Sequence, residues 1–182
     1  MSKSGSRRPQ GWVSLTGITC DGQPVPVAEA FRRGWIKTPY VNPTFRDYLD
    51  LSEEKNLFLD QGRQLLAYAW GFRAPIENYT VQKYMVGTGL TPAKVTDVAM
   101  EAPIALPSQG NTITAPITSV DFMTSFVVRV SFSIAQGDAN GYLITEYGLA
   151  SGNNTLIARK VRSVGINKTS DFSPSFSWRI RF

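Results

Sequence analysis

The sequence predicts a mainly β protein: an antiparallel β-sandwich or jelly-roll-like domain with one helix and an extended N-terminal arm. Three observations carry this. Residues Ser175 to Phe182 alternate without a break, with Phe176, Trp178, Ile180 and Phe182 on one face and Ser177, Arg179 and Arg181 on the other. The run Phe126 to Ile134 does the same, with Phe126, Val128, Val130, Phe132 and Ile134 sharing a face. Two such strands want a common core, most simply between antiparallel layers. Fifteen Gly and eleven Pro beside ten Phe, seven Tyr and four Trp suit turn-rich sheets packed with aromatics.

Residues 1 to 46 show no clear period. Ser, Gly, Arg and Pro open the segment, Asp21-Gly22 marks a turn, and Pro24, Pro26, Pro39 and Pro43 punctuate it. Yet Trp12, Phe31, Trp35, Tyr40 and Phe45 lie there too, more aromatics than a chain left in water usually carries. Two readings stay open: an extended arm wrapping its own domain or a neighbour, and a Pro-rich loop region packed locally. On the first, Trp12 and Trp35 anchor the arm in a groove, and Arg7 and Arg8 join them as protein-interface residues.

Ser52 to Gly71 is the expected helix. Ser52 suits an N-cap, and Glu53 and Glu54 suit the positive end of the dipole. Leu57, Phe58, Leu65, Leu66, Ala69 and Trp70 make an apolar stripe, and Gly62 weakens its middle. Tyr79 to Val86 reads as a strand closed by a Gly87-Thr88-Gly89 turn. The loop from Leu90 to Ser108 holds three prolines and a short helical turn near Asp97 to Met100. Thr112 to Thr118 reads as a strand with Pro116 at an edge. After the Phe126 strand comes a Gly137 to Gly141 turn. Tyr142 to Leu149 and Thr155 to Val161 then form a hairpin. A linker from Gly165 to Asp171 delivers the last strand. The organisation expected is an arm over 1–46, a helical segment over 47–74 and a β-sandwich domain over 75–182.

The chemistry is sparse. The chain has 182 residues, a net charge of +5, one cysteine (Cys20) and no histidine. An internal disulfide is impossible, and the usual general base near neutral pH is missing. Gly87-Thr88-Gly89 lacks the further glycines of a dinucleotide loop and the Gly-Lys-Ser/Thr of a P-loop. Asp138 and Asn140 alone make a poor cation loop. No catalytic residue, metal or cofactor is therefore expected. The opening is polar and basic with no apolar run behind it, so neither a signal peptide nor membrane insertion is expected.

Glu146 lies mid-strand without a partner carboxylate, so a cross-strand ion pair with Arg159 or Lys160 is the better role. Arg159, Lys160, Arg162, Lys168, Arg179 and Arg181 make the C-terminal half basic. The aromatics of the last strand alternate away from these charges, which favours a solvated or protein-docking face over a nucleic-acid groove. Glu146, Arg159 and Trp178 are expected to be structural.

Several phrases in order resemble a known group. They are Asp60 to Arg73, Val86-Gly87-Thr88-Gly89-Leu90-Thr91-Pro92-Ala93, Glu146-Tyr147-Gly148-Leu149, Leu156-Ile157-Ala158-Arg159-Lys160, Lys168-Thr169-Ser170-Asp171-Phe172 and Trp178-Arg179-Ile180-Arg181-Phe182. Over residues 57 to 182 the chain resembles small virion structural proteins of tailed bacteriophages. The resemblance implies a non-enzymatic role with repeated protein–protein contacts in the tail, neck or fibre-attachment region. It implies other virion proteins as partners, a homo-oligomer, and location in a particle assembled in the host cytoplasm. A capsid-decorating role is an alternative. A glycan-binding sandwich is another, and it would need Tyr142, Tyr147 and Trp178 exposed on one surface.

Overall fold

Alternating side chains become strands, and every strand pair here is antiparallel. The computed structural model describes residues 10–20, 23–25, 27–35, 54–71, 75–124 and 127–181. In chain order the elements are β1 (Gln10–Cys20), β2 (Gln23–Pro24), α1 (Val27–Arg32), β3 (Glu54–Phe58), α2 (Asp60–Trp70) and β4 (Val81–Gly87). There follow β5 (Ala115–Pro116), β6 (Ser119–Thr124), β7 (Val127–Ser133), β8 (Leu143–Ser151), β9 (Leu156–Asn167) and β10 (Ser173–Arg181).

The strands run in the order β5-β4-β8-β9-β3-β1-β10-β7-β6, with β2 beside β1. This path folds back on itself. Tyr84 of β4 stacks on Phe132 of β7 at 4.7 Å, and Tyr147 of β8 meets Phe176 of β10 at 5.0 Å. Strands far apart along the path thus share one core, and the result is a sandwich of two layers, β5-β4-β8-β9 and β1-β10-β7-β6. The short strand β3 joins them at one edge. At the other, the chain crosses between layers over Pro116 to Thr118: the Ile117 N–H donates to Gln82 O on β4, and the Thr118 N–H to Ser131 O on β7. Val130, Phe132, Phe176, Trp178 and Ile180 all face inward and are buried.

A second, smaller core lies on the outer face of β4 and β8. Leu59, Met85, Met100, Ala150 and Leu156 form it beneath residues 88–102. Gly148 allows this approach, because a Cβ there would stand 2.8 Å from the Met100 sulfur.

The mainly β sandwich agrees with the sequence reading, and several boundaries differ from it. Eleven of the first 46 residues, Gln10 to Cys20, where the sequence shows no clear period, are a strand paired with β3 and with β10. The sheet therefore takes three strands, β1, β2 and β3, from upstream of residue 75. The helix starts at Asp60, with Leu59 before it, and not at 52; Ser52 lies outside the described residues. Glu54 to Phe58 are held extended by ladders on both sides, to β1 and β9, and that pairing overrides the helical spacing. A second helix, α1, is short and carries Glu29 bonded to Arg32 and Arg33. The turn at residues 95–96 does not extend into a helix, the strand expected over 112–118 is reduced to the two residues of β5, β6 is a strand the sequence reading did not include, and β9 runs on into the expected linker as far as Asn167.

Candidate functional site

The buried charges gather at two places. At the first, the β8–β9 hairpin sets Gly148 opposite Arg159, so Arg159 reaches diagonally to Glu146 on the same face. The Arg159 Nε donates to Glu146 Oε1 at 2.6 Å, and both side chains are buried. The backbone N–H of Glu101 donates to the same oxygen at 2.7 Å, and that of Ala102 to Oε2 at 3.1 Å. Arg159 also donates to Asp97 at 2.7 Å, to Glu101 at 3.3 Å and to Thr91 O at 3.3 Å. Both oxygens of Glu146 thus accept from within the protein, an arrangement that suits a clamp tying residues 88–102 to the sheet.

The electrostatics agree with the geometry. Burial works against the Arg159 charge, but the bonds to Glu146 and Asp97 outweigh it and hold its pKa above the ordinary value. Burial likewise opposes the Asp97 carboxylate, yet the Lys94 N–H and Arg159 hold it below the ordinary value. Glu101 is lowered chiefly by the Thr91 N–H and hydroxyl.

The glycines expected to make a tight turn have another task. A Cβ on Gly87 would lie 2.5 Å from Glu146 Oε2, and one on Gly89 would lie 2.6 Å from it. Gly87 is the last residue of β4, so these glycines let the chain pass close over a buried carboxylate. Their spacing carries that signal only once Glu146 is known to lie beneath.

The second place is the Lys168 amine, fully buried at the end of β9. It donates to Gln136 O, Asn140 Oδ1 and Thr169 O, all within 2.9 Å. Burial pushes its pKa down to about 8 against the pull of Asp138 and Asp171. Asp138 is buried beside it and accepts from the Ser108 N–H at 2.8 Å and from the Ser108 hydroxyl. Ala139, at φ 55, and Gly141, at φ 83, turn the chain around this amine. Phe172 packs against Lys168 and stacks on Trp35 at 4.4 Å.

Between the layers, below the crossing at Pro116 to Thr118, an apolar cleft of about 440 Å³ opens. Phe58, Leu66, Val81, Phe122, Val128 and Ile180 are among its walls. Val120 and Phe122 lie opposite Val130 and Val128 in register, so they belong to the interior face of the sandwich. Nevertheless Phe122 is 82% exposed and Val120 44%.

The expected site residues distribute as follows. Glu146 and Arg159 come together, and Trp178 is buried in the core. Trp35 is also buried, held by Phe172 and by the Asn167 N–H donating to its carbonyl, so it packs into this chain's own core. Trp12 lies in β1 opposite Arg179 and Lys55. Arg7 and Arg8 lie outside the described residues. Of the three aromatics a glycan platform would need, Tyr147 and Trp178 are buried and only Tyr142 is exposed, because inward alternation assigns the first two to the core. Among the described residues, no group of three or more His, Cys, Asp or Glu is placed to hold a metal ion, and no helix is long and apolar enough to cross a membrane. The chain matches no family model, no curated protein and no solved structure.

Proposed function

We propose that this chain is a non-catalytic structural protein of a tailed-bacteriophage virion, working through repeated protein–protein contacts in the tail, neck or fibre-attachment region. One observation carries the contact reading. The buried polar clusters at Glu146 and Lys168 are filled by the protein's own groups, whereas apolar side chains lining the cleft stand in water: Phe122 at 82% exposure, Val120 at 44% and Leu66 at 36%. Exposed apolar side chains that gather beside a cleft mark interaction surfaces. The resemblance over residues 57 to 182 supplies the virion setting, and particle proteins act by presenting such surfaces repeatedly.

The test is composition of the particle. Gradient-purified particles from cells producing this chain should contain it at a fixed stoichiometry, read by quantitative mass spectrometry. Its absence from particles while it is abundant in the same lysate would overturn the proposal.

A further inference from the structure

The Lys168 amine and the Asn140 carboxamide are held against each other. Asn140 lies in the turn between β7 and β8, and Lys168 follows the last residue of β9. Backbone bonds set these two segments side by side: the Gly141 N–H donates to Lys168 O at 2.8 Å, and the Lys168 N–H to Tyr142 O at 2.9 Å. Between the side chains, the amine donates to Asn140 Oδ1 at 2.9 Å, while Asn140 Nδ2 donates to Gln136 O at 3.1 Å and steadies the far end of the carboxamide. Oδ1 is one C=O bond, about 1.2 Å, from Cγ, so the amine stands within about 4 Å of a carbonyl carbon. Ala139, just before Asn140, holds a left-handed φ of 55 that side chains rarely adopt unless their surroundings impose it. The Lys168 side chain is fully buried, and its Nζ lies 5.4 Å from the centre of the Phe172 ring.

We propose that Lys168 Nζ condenses with Asn140 Cγ to form an isopeptide bond, as a slow maturation of the folded chain. The neutral amine adds to Cγ. The Cγ–Nδ2 bond then breaks, and Nδ2 takes up the proton that Nζ gives up and leaves as ammonia. No oxidant, reductant or cofactor enters. Asp138 is buried and close enough for its charge to act on the amine, so it is the carboxylate on hand to carry that proton. Burial pushes the amine's pKa down to about 8 against the pull of Asp138 and Asp171, which makes the nucleophilic form available in mild alkali. Two features keep the step slow. The ammonium form prevails below about pH 8. The carboxamide must also turn about its Cβ–Cγ bond before Nζ can pass from its oxygen to the face of its carbon. A freshly folded chain therefore keeps a titrating amine, and an aged one does not. A rival nucleophile, the Gly141 backbone nitrogen, is held back by its bond to Lys168 O. The inference is independent of the virion setting.

The full chain, held folded at about pH 9, should lose the mass of one ammonia over days, read by intact-mass spectrometry. At about pH 6 it should keep its sequence mass. Trypsin does not cut at an acylated lysine, so the aged chain should yield one branched peptide joining residues 130–159 to residues 163–179. Asn140 is exposed, so Asn140→Ala should fold and should keep its own full mass under the same treatment. Lys168→Arg, which retains the positive charge, should do the same. Attack by the Gly141 nitrogen would lose the same ammonia, but it would persist in Lys168→Arg, give no branched peptide and go on to take up water. A parent chain that keeps its sequence mass at about pH 9, or one that loses ammonia without the branched peptide, would overturn the proposal.

Discussion

Glu146 is a carboxylate held in the interior by three donors from two parts of the chain: the Arg159 side chain and the adjacent Glu101 and Ala102 backbone N–H groups. Removing one partner of a buried pair leaves an uncompensated charge, so Arg159→Met should cost about 3–5 kcal/mol in urea unfolding. The cluster also fixes an acid response. Asp97 and Glu101 titrate below their ordinary values of 3.8 and 4.5 when folded. The stability they contribute is present above those values and is lost as pH falls through the folded ones. Denaturation midpoints should decline below about pH 4 in the parent, and less steeply in Arg159→Met. Lys168 has the opposite sign. Its folded value of about 8 lies under the ordinary 10.5, so the unfolded chain binds that proton more tightly between them. Stability from this residue therefore rises with pH over that window. Between about pH 7.5 and about pH 9.5 the parent should gain roughly 1–2 kcal/mol relative to Lys168→Met, read from paired urea curves. The Glu146–Arg159 pair was legible in the sequence because a hairpin brings near neighbours together. Asp97, Glu101 and the two glycines over Glu146 were not, since they reach it from 45 to 59 positions away in the chain and no local period links them.

At the scale of elements, α2 separates propensity from packing. Gly62 lies inside an exposed-looking helix, where alanine is normally better by about 1 kcal/mol. Here a Cβ would stand 2.5 Å from the Ile157 carbonyl oxygen, which is backbone and cannot swing aside. Gly62→Ala should therefore lower stability, by roughly 1–3 kcal/mol in chemical denaturation, by forcing α2 off β9. The sequence located the helix and its glycine, but the reason for the glycine lies in a strand 95 positions later. The same divide explains the helix start. Leu57 and Phe58 fit a helical stripe, and only the ladders to Arg159 and Ala158 show that they are extended. Strands β7 and β10 were read well because their alternation is long and one face is wholly apolar, and β8 because turns bound it on both sides. Strand β6 alternates over only six residues and its apolar face meets water, so it offered a weaker pattern.

For the whole molecule, β1 decides what can be cut. It pairs with β10 over most of its length and with β3 beside it, so residues 10–20 are interior to the sheet order. A chain beginning at residue 75 would lack β1, β3 and α2, uncover one side of β10 and open the seam between the layers. It should fail to melt cooperatively and should bind a hydrophobic dye, whereas the full chain should give a single transition. This differs from the 75–182 sandwich domain read from the strand pattern, and the reason is physical: a strand interrupted by glycines and threonines, as β1 is, carries little period of its own and takes its conformation from its neighbours. The β1–β10 ladder has a further consequence in time. Gln10 faces Arg181, so one of the central pairings joins positions separated by nearly the entire length described. During synthesis β1 leaves the ribosome before the other described strands, and its principal neighbour β10 after them. The sheet cannot be sealed until translation has passed β10, and until then β7 lacks one of its two partners. Refolding from denaturant should accordingly be slow, in the millisecond-to-second range of proteins dominated by non-local contacts, and stopped-flow tryptophan fluorescence would measure it. A nascent chain with so late a closure leaves its apolar edges open for the whole of that interval, which makes chaperone dependence a property of its topology.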